Sequence, residues 1–121
     1  MSAADYTDSA KSEQRLRAAA NKLHELAPAV AKARQVKEFS SDRRKNLLAR
    51  YMAPLLIGGS VASAETTARA DMDYGMGLDD LARQYREAEE VLAEWAATNA
   101  TFEASRSLLS LSKELLRSLD G

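Results

Sequence analysis

From Leu78 to Phe102 the chain repeats one spacing, three and four residues apart, at Leu78, Leu81, Tyr85, Ala88, Leu92, Trp95, Asn99 and Phe102, with Asn99 the polar member. A period near three and a half residues places one line of side chains on one side of an α-helix, and such a line is covered by another helix. Leu16, Ala19, Leu23, Leu26, Val30 and Ala33 form a second line of the same kind. Composition points the same way, since 23 alanines and 16 leucines stand against five valines and isoleucines together in 121 residues. Alanine and leucine lose little rotamer freedom in a helix, whereas β-branched side chains favour strands. The expected class is all-α: a three-helix up-down-up arrangement with a long third helix and coiled-coil-like packing.

Local signals place the boundaries. Residues 1–8 are expected to be disordered and 9–121 to form a single helical domain, with a first helix from about Ser9 to Phe39. Pro28 removes a hydrogen bond to the carbonyl of His24, and a bend is expected there because the apolar register continues past it. Ser40, Ser41 and Asp42 supply N-cap chemistry for a second helix starting at Arg43. That helix passes Pro54, loosens at Gly58 and Gly59, and continues behind Ser60 towards Ala70. "DMDYGMGLDD" reads as a turn with flexible backbone at Gly75 and Gly77, and Asp79 and Asp80 then suit the positive end of the third helix. Beyond Phe102, the residues Leu108, Leu109, Leu111, Leu115, Leu116 and Leu119 fall in a shifted register, which reads as a stutter. Gly121 stops the helix.

No charge occurs from Tyr51 to Ala64. The run falls short of the roughly 18 apolar residues that span a bilayer, so no membrane contact is expected. Nor is it a phosphate loop, which needs a lysine and a hydroxyl directly after its glycines where this chain has Ser60, Val61 and Ala62. It reads as a packed helix whose small residues let a neighbouring backbone approach, in the core or at a subunit interface. The first residues, "MSAADYTDSAKSEQ", lack the apolar stretch of a secretory leader, and a cytoplasmic location is expected.

Catalytic patterns are sparse. With no cysteine and His24 as the single histidine, neither a thiolate site nor a two-histidine metal site can be built, and a triad would have to recruit His24 beside Glu25. A calcium loop counted from Asp71 would need glycine and glutamate where Met76 and Ala82 stand. Glu87, Glu89, Glu90 and Glu94 lack the Glu-x-x-His companion of a di-iron site. Arg83 with Glu87 and Arg86 with Glu90 are spaced as ordinary ion pairs on a solvated helix face. The expectation is a protein that is not an enzyme and takes no cofactor or metal.

Charge is more informative. Residues 1–50 hold eleven bases and six acids, and residues 51–121 hold six bases and twelve acids, a polarity hidden by the net charge of −1. Lys37, Arg43, Arg44, Lys45 and Arg50 form the densest basic part and are the candidate partner or nucleic-acid binding residues. In an up-down-up arrangement these bases and the acids from Asp71 to Glu94 would lie at opposite poles. Aromatic stacking partners near the bases are limited to Phe39 and Tyr51, so DNA, single- or double-stranded, is the second choice behind a protein partner.

"KEFSSDRRKNLLARYMAP", "AETTARAD" and "ATNATFEASRSLLSLSKELLRSL" together resemble small helical proteins of tailed bacteriophages and prophages, often encoded beside replication and recombination genes. The resemblance spans about residues 30–119 and carries over no binding residues. It implies a phage accessory role in the host cytoplasm, exercised by binding a host or phage protein, as a recombination or replication helper or as an inhibitor of a host defence. A third helix of about 40 residues would reach about 60 Å against about 45 Å for the other two, so a homo-oligomer is expected. Its candidate interface is Tyr85, Leu92, Trp95, Asn99 and Phe102, with the polar Asn99 setting register.

Overall fold

In a computed structural model the backbone is described for residues 3–120 and the side chains for residues 10–120. Among the described residues there are four α-helices, one 3-10 helix and no strand: α1 (Ala3–Glu38), α2 (Ser40–Met52), the 3-10 helix Ala53–Ile57, α3 (Val61–Ala70) and α4 (Met72–Asp120). The all-α class holds. The chain divides into two compact units, one made of residues 1–30 and 91–121 and the other of residues 31–90, so that α1 and α4 each contribute to both. Of the segment expected to be disordered, Met1 and Ser2 lie outside the described residues and the backbone of 3–8 belongs to α1.

The two-helix unit is built on the long repeats. Its share of α1 includes Leu16, Ala19, Leu23, Leu26 and Val30, with Ala19 and Val30 buried. Lys22 Nζ meets Glu94 Oε1 at 3.1 Å and ties this segment to α4. Pro28 sits inside α1 without ending it, as the register implied, and its exposed ring displaces no core side chain. On α4 the covered line runs through Leu92, Trp95, Thr98, Asn99, Phe102, Ser105, Leu109, Ser112 and Leu116. Trp95, Phe102, Leu109 and Leu116 are seven residues apart, so the period is unbroken and the expected stutter is absent. The line passes through the small Ser105, which is 4% exposed, rather than through the leucines Leu108, Leu111, Leu115 and Leu119, each more than half exposed. The Thr98 hydroxyl, also buried, donates to the Glu94 carbonyl at 2.9 Å and so carries no unsatisfied polar atom inside.

The 31–90 unit assembles short segments, and its joints differ from the expected ones. Phe39 alone separates α1 from α2. Its φ of −96° and ψ of 9° leave helical geometry, yet Phe39 N–H still reaches the Gln35 carbonyl and Arg43 N–H reaches the Phe39 carbonyl. Ser40, Ser41 and Asp42 therefore fall inside α2 and supply no cap, and Phe39 takes the cap position without a side-chain hydrogen bond. Pro54 ends α2 rather than bending it: it occupies the first turn of the 3-10 helix, where its missing N–H is not needed. Gly58 and Gly59 follow, and Ser60 caps α3 as expected, its Oγ accepting from Ser63 N–H at 3.1 Å.

The turn expected across residues 71–80 shrinks to Asp71. Its Oδ1 accepts from the N–H groups of Asp73 at 2.8 Å and Tyr74 at 3.4 Å, and this cap starts α4 at Met72, so Gly75 and Gly77 lie inside the helix. Gly77 is there for space, since a Cβ at this position would stand 3.0 Å from Leu47 Cδ2. Ala33, Val36, Ala64, Ala68, Tyr74 and Ala88 form the buried core of this unit, and the Tyr74 ring packs edge-on against Tyr51 with centroids 5.8 Å apart. Most of the uncharged run is not core: residues 53–63 are exposed throughout, Ile57 at 90%, and only its last residue, Ala64, is buried.

Candidate partner-binding groove

α2 lies beside α4 in the 31–90 unit, as three contacts establish: Arg43 Nη1 donates to Gln84 Oε1 at 3.2 Å, Leu47 sits over Gly77, and Tyr51 meets Tyr74. With α3 they enclose an open groove of about 480 Å³. Leu48 of α2 and Tyr74, Leu78 and Ala82 of α4 make its apolar lining, while Arg44, Lys45, Arg69 and Asp79 stand around it. The helical period explains the grouping: Tyr74, Leu78 and Ala82 are successive residues four apart, and Arg44 and Leu48 are four apart on α2.

The predicted basic residues separate into three kinds of environment. Arg44 and Lys45 line the groove, exposed and without a hydrogen bond or ion pair. Arg43 is held by Gln84, and Lys37 is half-buried with Nζ 5.4 Å from the centre of the Tyr85 ring, a cation–π contact. Arg50 is exposed and lies outside the groove. The two charge clusters do not occupy opposite poles, because Arg44 and Lys45 share their groove with Asp79. The expectation rested on a turn at residues 71–80, and the early start of α4 instead runs its acids alongside α2.

Arg69 and Tyr74 belong to the groove without having been singled out from sequence. Tyr74 extends the 78, 81, 85 spacing back by one turn, a readable signal that the glycines obscured. Arg69 carried no such signal, since its visible partner is local: Nε and Nη2 both donate to Glu65 Oε1, at 3.0 and 2.9 Å.

The predicted oligomer residues Tyr85, Leu92, Trp95, Asn99 and Phe102 are all half-buried, Tyr85 in the 31–90 unit and the other four on the covered line of the two-helix unit. His24 is exposed on α1. Asp71 uses its carboxylate as a helix cap, and no group of three or more metal-ligating side chains occurs among the described residues. Arg83 pairs with both Asp80 and Glu87 on the α4 surface, as the four-residue spacing anticipated for the second pair. No helix among the described residues is long and apolar enough to cross a membrane. Comparison with protein-family models, with curated proteins and with solved structures found no match to this chain.

Proposed function

We propose that this chain is a non-enzymatic accessory protein that self-associates and binds a partner protein through helical surfaces. The observation that carries the reading is the exposed leucine stripe of α4: Leu108, Leu111, Leu115 and Leu119 are 51 to 71% exposed and lie three or four residues apart, beside a line that the same unit already covers. A contiguous apolar stripe of this kind marks an interaction face. The finer architecture belongs to the same proposal, with coiled-coil-like packing of α1 and α4 and an up-down-up course. A phage accessory role in the host cytoplasm, helping recombination or replication or blunting a host defence, rests on the sequence resemblance alone.

Light scattering of the full chain at micromolar concentration tests self-association. A mass of at least twice the 13.2 kDa monomer is expected. Leu111→Glu combined with Leu115→Glu should return it to a monomer with unchanged helicity, because neither side chain is buried. A clean monomer in the parent chain would refute self-association.

One observation favours DNA binding as the second reading: Arg44, Lys45 and Arg50 are exposed and unpaired. Against it, Asp79 sits in the same groove and Tyr74 is buried, so no ring there is offered for base stacking. A gel shift of single- and double-stranded DNA that weakens steeply with salt would establish this reading.

A further inference from the structure

The groove on residues 31–90 is a second surface, distinct from the leucine stripe. It has a mixed character, with an apolar lining of Leu48, Leu78 and Ala82 and a cationic side formed by Arg44 and Lys45 on α2. Arg69 on α3 is already neutralised by Glu65. Asp79 is the acid on the α4 side. We propose that this groove binds an amphipathic α-helix of a partner protein, with the partner's apolar stripe on Leu48, Leu78 and Ala82 and its carboxylates along the edge facing Arg44 and Lys45. The proposal rests on the reading of this chain as a partner-binding protein, but it uses a surface separate from the leucine stripe.

Three features select this occupant. A helix laid in a groove needs an apolar floor flanked by charge, and both occur here within one unit. Ala82, half-buried and small, leaves room for a large apolar side chain of the partner. Arg44 and Lys45 have no partner within the chain, so a carboxylate meeting them displaces no existing ion pair. A phosphate backbone would gain the same two cations but would meet Asp79 and leave the apolar floor unused.

The test uses the full chain and a fluorescein-labelled synthetic helix of about five turns, with leucines three and four residues apart and glutamates along one flank. A second probe carries lysines in place of the glutamates. Fluorescence anisotropy should give at least about tenfold tighter binding of the glutamate probe, weakening with salt. Arg44→Glu with Lys45→Glu should invert the preference, so that the lysine probe binds and the glutamate probe does not, while Lys32→Glu, at an exposed position outside the groove, leaves binding unchanged. If the double reversal lowers the melting temperature, Arg44→Gln with Lys45→Gln replaces it and should abolish the preference for the glutamate probe. Equal binding of both probes, no binding of either, or indifference to the change at Arg44 and Lys45 overturns the proposal. So does displacement of the glutamate probe by a DNA oligonucleotide whose own binding is lost in the same variant. A failed probe with an oligomeric parent chain sinks this inference alone, whereas a bound probe with a monomeric parent sinks self-association alone.

Discussion

The two units of this protein reach helical packing by opposite means. Residues 1–30 and 91–121 form two long segments with a seven-residue period, and the side chains they cover include Thr98, Asn99, Ser105 and Ser112 as well as leucines. Residues 31–90 form short segments whose packing is local and dense, with Ala64 and Ala68 at 2% and 1% exposure and Tyr74 at 5%. A long repeat tolerates polar members, since many weak contacts share the load. A short-helix assembly depends on a few well-filled places and on its joints. Substitutions should therefore be most damaging in the second unit and most easily improved in the first.

The largest effect is expected for Tyr74→Ala, which empties the centre of the 31–90 unit and removes the contact with Tyr51. It should cost about 3 to 5 kcal/mol, by analogy with buried Phe or Trp to Ala. Chemical denaturation checks this, and a loss below about 1 kcal/mol would mean that the contrast between the units is wrong. Pro28→Ala acts in the other unit and in the opposite direction. Its ring is exposed, so restoring the hydrogen bond to His24 should stabilise α1 by about 2 kcal/mol, read as a higher melting temperature.

Asn99→Leu comes next. Asn99 is half-buried on the covered line of α4, and replacing its amide should add about 1 kcal/mol. A change of mass in light scattering would show that it also sets oligomer state, while an unchanged melting temperature would place its amide in water. The smallest effect separates two glycines in the same helix. Gly75→Ala meets no atom within 4 Å and should gain roughly 0.5–1 kcal/mol of helix stability. Gly77→Ala presses on Leu47 and should gain nothing, the repacking offsetting the propensity. Equal stabilisation by both would show that Leu47 moves away freely.

Legibility from sequence followed the same division. The seam from Leu78 to Phe102 and the line from Leu16 to Ala33 were readable because each is repeated over several turns, and chance repetition over that length is improbable. Ser60 was readable as a cap because its chemistry is local. The joints at Phe39 and Asp71 were not. Serine and aspartate at 40–42 offered capping chemistry, but α2 begins at Ser40 with Phe39 in the cap position, and Asp71 capped α4 before two glycines that resemble a turn. Beyond Phe102 the dense leucines offered two parallel lines, and period alone could not say which one α1 covers. The groove was half readable: Arg44 and Lys45 stood out as charge, whereas Arg69 and Asp79 join them only through the packing of three helices.

By itself, then, the sequence determined the all-α class, the two long seams, continuation through Pro28 and the exclusion of cysteine-based or two-histidine metal chemistry, because each depends on residue type and local spacing. Tertiary structure decided where α4 begins, which leucines remain exposed, that residues 53–63 of the uncharged run lie at the surface, and that Arg44 and Lys45 share a groove with Asp79. Those outcomes are settled by competition among surfaces for one partner. A helix can satisfy its own hydrogen bonds, but which of its faces is covered depends on the neighbour that reaches it.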